Sequence, residues 1–191
     1  IAGLIQPTSG KISLFGRGID SFSAKELQYL RAKRIGFVFQ TFHLVDSLTV
    51  AENVALVLRF AGASRSRARV RTMALLDQFH IAHLAKQFPP KLSQGEKQRV
   101  AVARAIANEA DLIIADEPTA SLETKQGSEI IQLLGTYAKS RQRCVIIASH
   151  DLRVVEFADR VMKLEDGVLD DQACTGSSLK VAQKLCLLGS R

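Results

Sequence analysis

The sequence is poor in cysteine and in long apolar runs, and both absences exclude classes of protein. Its three cysteines, Cys144, Cys174 and Cys186, are widely spaced and include no C-x-x-C pair. This pattern is neither a disulfide framework nor a zinc site, and it is typical of a reducing compartment. No uninterrupted apolar run approaches the roughly 20 residues that a helix needs to cross a bilayer. With 47% hydrophobic and 24% charged residues, the 191 residues suffice for one folded domain with a small subdomain.

Acidic residues are absent from residues 53–76, and this absence concentrates the positive charge. The formal net charge is +7, which makes nucleic acid, anionic membranes and phosphorylated ligands candidate partners. Nucleic acid would need aromatic side chains for stacking, and only Phe60 lies nearby, so no nucleic acid partner is expected. We interpret the segment as a solvated helical face, with anionic lipid headgroups as the alternative. Its five arginines are Arg59, Arg65, Arg67, Arg69 and Arg71.

Strands alternate with helices along the chain. Short apolar runs predict strands, and longer stretches of helical period predict helices. The predicted strands are 11–15, 35–39, 111–115, 144–148 and 160–164. The predicted helices are 23–33, 50–80 with a break near Gly62, 93–108, 124–140 and 176–188. The alternation predicts an α/β fold in which helices cover both faces of a parallel sheet.

Polar side chains follow three of the predicted strands. Gln40 comes directly after the second strand, Asp116 and Glu117 after the third, and Ser149 and His150 after the fourth. Open α/β sheets place their chemistry at the carboxyl ends of strands. Adjacent carboxylates there suit Mg²⁺ coordination by one and water activation by the other, as phosphoryl transfer requires. Each feature also has a structural interpretation, because Asp-Glu-Pro can begin a loop and a histidine after a strand can be structural.

Ser93 and Glu96 form an S-x-x-E capping box at the start of the helix predicted over 93–108. Between them, Gly95 allows close approach of the backbone. The N-terminus of a helix offers unpaired N–H groups and a positive dipole to an anion. The same residues also fit a helix that is simply well capped, so the box alone does not decide between the two interpretations.

Five motifs, in this order along the chain, resemble those of an ABC-type ATPase. They are the Q-loop at 37–40, the signature LSQGEKQRV at 92–100, the Walker B run LIIADEPT at 112–119, the D-loop SLE at 121–123 and the switch-histidine motif SHD at 149–151. The resemblance covers roughly residues 1–168. It implies a P-loop NTPase-like parallel sheet flanked by helices, with an inserted helical subdomain.

The resemblance implies a role for each matched residue. Asp116 and Gln40 would hold Mg²⁺, and Gln40 would also sense the partner protomer. Glu117 would polarise the attacking water, and His150 would contact the γ-phosphate. ATP and Mg²⁺ are therefore the implied cofactors, in a head-to-tail dimer that encloses two ATP molecules. The residues that would face the ATP of the opposite protomer are Ser93, Gln94, Gly95, Glu96 and Glu123.

The sequence departs from the family pattern in three places. The signature reads LSQGE where the family usually has LSGGQ, and Glu123 replaces the usual Asp of the D-loop, changes that we expect to tune the rate. The phosphate loop G-x-x-x-x-G-K-[ST] does not occur in the sequence, since the only Gly-Lys pair, Gly10-Lys11, is followed by Ile12. The resemblance therefore implies a cassette cut just after this loop, with the N-terminal β-subdomain and P-loop largely missing and its own activity in doubt.

The resemblance also divides the chain and suggests a branch of the family. We expect an incomplete ATP-binding domain over residues 1–170, a helical subdomain over about 50–108, and a helical tail over 171–191. The run at 40–54 is similar to the lipoprotein-release, macrolide-export and cell-division branch, with amino-acid importers as the alternative. That branch implies a subunit that hydrolyses ATP to power export through a transmembrane permease, bound peripherally at the cytoplasmic face of the inner membrane. The alternatives are a non-hydrolysing interaction module and a non-transport ABC ATPase.

Overall fold

The computed structural model describes residues 2–140, 143–170 and 184–188. Its strands are β1 (Ser13–Leu14), β2 (Arg17–Gly18), β3 (Ile35–Val38), β4 (Leu112–Asp116), β5 (Cys144–Ser149), β6 (Arg160–Glu165), β7 (Val168–Asp170) and β8 (Lys184–Leu188). Its α-helices are α1 (Ala24–Lys33), α2 (Val50–Phe60), α3 (Arg65–Gln78), α4 (Gln94–Ile106) and α5 (Thr124–Lys139), and a 3-10 helix spans Leu152–Phe157. Six strands form one sheet in the order β3-β4-β5-β8-β6-β7, while β1 and β2 form a separate hairpin.

The first half of the large sheet is parallel, as predicted. β3 pairs with β4 and β4 with β5, so that Val38, Ala115 and Ile147 lie side by side. These strands are apolar because helices cover them, and the three side chains are fully buried. Helix α4 packs directly on β3: a Cβ atom on Gly36 would lie 2.2 Å from the carbonyl oxygen of Ala105. The parallel pairing brings the carboxyl ends of β3, β4 and β5 to one edge of the sheet.

The second half of the sheet is antiparallel, and it corrects the helix predicted for the tail. β8 lies between β5 and β6 and runs antiparallel to both. The prediction of a helix is therefore wrong for Lys184–Leu188, whereas residues 171–183 and 189–191 lie outside the described residues. A short apolar run is compatible with a helix or a strand when periodicity alone is considered, and here the pairing with distant strands decides.

Three α-helices, α2, α3 and α4, lie between β3 and β4 along the chain. α2 and α3 are separated at Gly62, whose φ of +90° suits glycine and breaks the helix as predicted. Capping boxes begin three helices, with Ser23 at α1, Thr49 at α2 and Ser93 at α4. At the N-terminal end, the strand predicted over 11–15 is reduced to β1. Among the described residues, no helix combines the length and apolarity needed to cross a bilayer.

Candidate functional site

The ends of β4 and β5 bring Glu117 and His150 into direct contact. The backbone N–H of Glu117 donates to the carbonyl oxygen of Ala148 (2.8 Å), which extends the pairing of β4 with β5 by one bond. Glu117 has a φ of +44°, in the left-handed region that costs a residue with a side chain about 1 kcal/mol or more. Strained residues of this kind cluster at functional sites. The turn directs the Glu117 side chain toward the residues that follow β5.

Three donors from the end of β5 hold the carboxylate of Glu117. Ser149 Oγ donates to Oε2 (3.1 Å), the backbone N–H of His150 donates to Oε1 (3.2 Å), and His150 Nδ1 lies 2.8 Å from Oε1. Because Oε1 is an acceptor, the ring hydrogen bond requires His150 to carry its proton on Nδ1. The Glu117 side chain is only 11% exposed, while that of His150 is 58% exposed. The carboxylate is therefore fixed in place beside an imidazole that remains accessible.

The hydrogen bonds leave one oxygen of Glu117 with spare accepting capacity. A carboxylate offers about four acceptor positions, two on each oxygen. Oε1 accepts two hydrogen bonds from His150, whereas Oε2 accepts one from Ser149. The remaining position on Oε2 can accept a proton-bearing group such as water. The carboxylate is thus held in place and keeps a position at which it can accept a proton.

Asp116 and Gln40 lie at the ends of neighbouring strands, and the chemistry of their side chains shows whether this edge of the sheet suits Mg²⁺. Val38 of β3 pairs with Ala115 of β4. Gln40 lies two residues after Val38, and Asp116 lies one residue after Ala115. Both residues are exposed, and their oxygens are ligands that Mg²⁺ accepts, because this ion keeps several waters and takes one or two carboxylates plus phosphate oxygens. The donor set fits the ion. No group of three or more His, Cys, Asp or Glu side chains converges anywhere in the described part of the chain.

Asn53 and Arg104, which the sequence did not single out, hold the loop that begins at Gln40. Asn53 is fully buried; its Oδ1 accepts from the backbone N–H of Val45 (2.8 Å), and its Nδ2 donates to three carbonyl oxygens at 3.0 to 3.1 Å. Arg104 donates to the carbonyl oxygens of Phe42 (2.7 Å) and His43 (2.6 Å), and burial lowers its pKa. The sequence feature that could have identified Asn53 is its position as a polar residue on the apolar face of α2.

The signature residues form the capping box predicted from the sequence. The N–H and the hydroxyl of Ser93 each donate to Glu96 Oε2 (2.8 Å), and Ser93 Oγ accepts from the N–H of Glu96 (3.3 Å). Ser93 and Gln94 are exposed, whereas Gly95 is buried because Gln126 of α5 covers it: a Cβ atom on Gly95 would lie 2.6 Å from Oε1 of Gln126. The hydroxyl of Ser93 is thus engaged within its own helix but accessible to a ligand.

The signature helix is joined to the turn after Glu117. Gln98 of α4 is buried, and its Nε2 donates to the carbonyl oxygen of Pro118 (2.7 Å). By contrast, no hydrogen bond or ion pair among the described residues joins Gln40, Ser93 or the exposed Glu123 to Glu117. The predicted site therefore falls into two parts. The contacting pair Glu117 and His150, with Asp116 next to Glu117 in the sequence, forms one part, and the signature residues form the other.

An α/β sheet with paired acids and a histidine at its strand ends, beside a capped helix, is an arrangement found in nucleotide-hydrolysing domains. Residues 1–120 match the ABC transporter family. The chain belongs to this family, whose curated relatives are named as ATP-binding proteins of transporters. The family identification and the fold class inferred from the motifs are thereby confirmed.

Two curated relatives show where the chain stands in the family. HrtA of Staphylococcus haemolyticus, named as an ATP-binding protein of hemin import, is 38% identical over 175 residues, 89% of this chain and 76% of HrtA. MacB of Agrobacterium fabrum, a macrolide export ATP-binding/permease protein, is 39% identical over 166 residues. That alignment covers 87% of this chain but only 26% of MacB.

The fold matches a solved ATP-binding cassette. The cassette MJ0796, in a dimeric post-hydrolysis state bound to ADP and Pi, superposes with a TM-score of 0.82 and 35% identity. The match covers 93% of this chain and 78% of that cassette. A second dimeric structure of MJ0796 gives a TM-score of 0.81.

Proposed function

We propose that the chain supplies the hydrolytic residues of an ATP-hydrolysing subunit, with Glu117 as the general base. The observation that carries the proposal is the Glu117 carboxylate, held by Ser149 and His150 with one acceptor position left on Oε2. A water at that position would lose its proton to Oε2 as it attacks the γ-phosphate. His150 keeps Nδ1 on Glu117, so Nε2 is the ring nitrogen that would face the phosphate, and it donates there when the ring carries a proton on both nitrogens.

Asp116 and Gln40 are the residues that would hold Mg²⁺ in this proposal. The ion would neutralise charge on the β- and γ-phosphate oxygens. Asp116 supplies the carboxylate and Gln40 an amide oxygen from the neighbouring strand end. Because Gln40 begins the loop held by Asn53 and Arg104, its position depends on those two residues.

The signature residues would act on a nucleotide bound to a second protomer. The support is the capped N-terminus of α4, where a phosphate can meet backbone N–H groups and the hydroxyl of Ser93. To donate to that phosphate, Ser93 must release Glu96, whose carboxylate then lies close to the anion. In this proposal the exposed residues Gln94 and Glu123 and the backbone of Gly95 would also face that nucleotide. The dimeric state of MJ0796 supports a pair of protomers, and we propose that the pair is head-to-tail.

A membrane partner would dock beside the Gln40 loop. A groove of about 280 Å³ between α1, β3 and α2 is lined by the side chains of Phe37, Phe39, His43 and Phe60, among others. Phe60 is 73% exposed, an unusual state for a phenylalanine without a partner. We assign this groove to a cytoplasmic segment of a permease, which would hold the chain peripherally at the inner face of the membrane. We propose export as the direction of transport, as in the name of MacB, with import, as in the name of HrtA, as the alternative.

A chimera tests the proposal, because the 191 residues contain no phosphate loop. We expect the chain by itself to bind ATP negligibly, since no backbone cradle or lysine for the β- and γ-phosphates is present. Joining the phosphate-loop segment of MJ0796 ahead of residue 1 should produce ATP hydrolysis. Micromolar ATP affinity of the chain alone would contradict this account. A folded chimera that binds ATP without hydrolysing it would favour the alternative, an interaction module.

A further inference from the structure

Arg153 connects two segments that lie far apart in the sequence. Its Nε lies 2.9 Å from both carboxylate oxygens of Asp151, and its Nη2 lies 2.5 Å from Oδ2. Its Nη1 donates to the carbonyl oxygen of Thr124 (2.6 Å), at the first residue of α5. The side chains of Asp151 and Arg153 are 14% and 29% exposed. Because the guanidinium is planar and rigid, these contacts fix the position of Asp151 relative to Thr124.

Asp151 continues the connection toward Glu117. Its Oδ2 accepts from Thr119 Oγ1 (2.8 Å), two residues after Glu117. Its backbone N–H donates to Ser149 Oγ (3.1 Å), the same hydroxyl that donates to Glu117. Asp151 also follows His150 directly. A displacement of Asp151 therefore moves the groups that orient the Glu117 carboxylate.

Gly127 of α5 makes room for the guanidinium. A Cβ atom at this position would lie 2.8 Å from Nη1 and 2.9 Å from Nη2 of Arg153. Glycine is a poor helix former, so its presence inside a helix needs a reason, and this contact supplies one. Among the described residues, no atom lies within 4 Å of the equivalent position on Gly135 of the same helix. The two glycines thus form a matched pair for experiment.

We propose that Arg153 and Asp151 are positioning residues that couple the start of α5 to His150 and Glu117. The inference rests on the proposed function, because it assigns the consequence of that coupling to ATP hydrolysis. Residues 121–123 precede Thr124 directly, so a second protomer that displaces them also displaces the carbonyl that Arg153 holds. The shift passes through Asp151 to the hydrogen bonds on Glu117. Contact with a second protomer thus changes the orientation of the Glu117 carboxylate in the same chain.

Amide hydrogen exchange in the 191-residue chain tests the coupling without requiring activity. Gly127→Ala pushes the guanidinium of Arg153 away and should raise the exchange rate of the His150 amide about tenfold. Asp151→Asn should raise the exchange rate of the Gly127 amide by a similar factor. Gly135→Ala should change neither amide. Arg153→Lys should behave like Gly127→Ala, because one ammonium cannot contact Asp151 and Thr124 together. The coupling would be overturned if each substitution changed amide exchange only in the segment that carries it. It would also be overturned if Arg153→Lys left exchange at the His150 amide at the wild-type rate.

Turnover of the chimera then tests its consequence. Arg153→Gln and Gly127→Ala should lower kcat about tenfold with KM for ATP unchanged, whereas Gly135→Ala should leave both constants unchanged. Unchanged kcat in an active chimera would overturn the positioning role even if the exchange result is positive. A wild-type chimera without turnover would instead overturn the proposed function, and the exchange measurement would still decide the coupling.

Discussion

His150 presents two nitrogen atoms to one carboxylate oxygen of Glu117, with its backbone N–H at 3.2 Å and its ring Nδ1 at 2.8 Å from Oε1. The two residues come from the ends of neighbouring parallel strands, and 33 positions separate them in the sequence. The contact leaves the second oxygen of Glu117, shared only with Ser149, as the acceptor for an attacking water. It also orients the imidazole so that its other nitrogen is available to a phosphate.

Replacement of Ser93 separates its structural role from its proposed ligand role. Ser93→Ala removes a helix cap and should cost about 1 kcal/mol of unfolding free energy. In the chimera it should also weaken ATP-dependent dimer formation about tenfold or more, because a charge-assisted hydrogen bond to phosphate is lost. Unfolding in urea and sedimentation with ATP measure the two effects.

Ser23→Ala is the matched control for Ser93→Ala. Ser23 caps α1 with the same capping box, formed with Glu26, at a site with no proposed nucleotide contact. It should cost a similar free energy of unfolding and leave ATP-dependent dimer formation unchanged. Equal loss of dimer formation in both variants would remove the ligand role of Ser93.

Asn53→Ala should destabilise the chain and release the Gln40 loop. The side chain is buried and makes four hydrogen bonds with backbone groups, so its loss leaves several of them without partners. The expected cost is about 2 kcal/mol or more of unfolding free energy. Gln132→Ala, at an exposed position of α5, should change it by less than about 0.5 kcal/mol. Equal urea midpoints for the two variants would contradict this role of Asn53.

The Asp151 carboxylate should make stability depend on pH at the acidic end. Burial acts to raise its pKa, but hydrogen bonds from Arg153 and Thr119 outweigh burial and hold the pKa below its usual value. A group with a lowered folded-state pKa stabilises the protein above its unfolded-state pKa of about 3.9 and loses that contribution as the pH falls through the folded-state value. The stability gap between wild type and Asp151→Asn should therefore be full at pH 6 and shrink below about pH 4. A gap that is constant between pH 6 and pH 2.5 would contradict it.

Local patterns allowed the sequence to predict much of the site. The S-x-x-E spacing predicts the capping box at Ser93 because both partners lie within one helical turn. The apolar runs that end at Asp116 and Ser149 predict strands, and parallel pairing brings their ends together. The contact between Glu117 and His150 follows from that pairing. Each of these features depends on residues that are close in the sequence or on a general rule of sheet topology.

Features that depend on the three-dimensional arrangement were not predictable in the same way. Arg153 could pair with any nearby carboxylate, and only the fold brings Thr124 and Gly127 within its reach. The role of Asn53 depends on the loop before α2, whose backbone groups are its hydrogen-bond partners. The strand Lys184–Leu188 was predicted as helix because its pairing partners lie more than twenty residues away.

Turnover by the chimera with Glu117→Gln tests the central claim most directly. The change keeps the shape of the side chain and removes its ability to take a proton, so ATP hydrolysis should fall at least about 100-fold. ATP binding and ATP-dependent dimer formation should persist. Glu156→Gln, at an exposed position of the 3-10 helix, is the control and should hydrolyse ATP at the wild-type rate. Wild-type turnover by Glu117→Gln would contradict the assignment of Glu117 as the base.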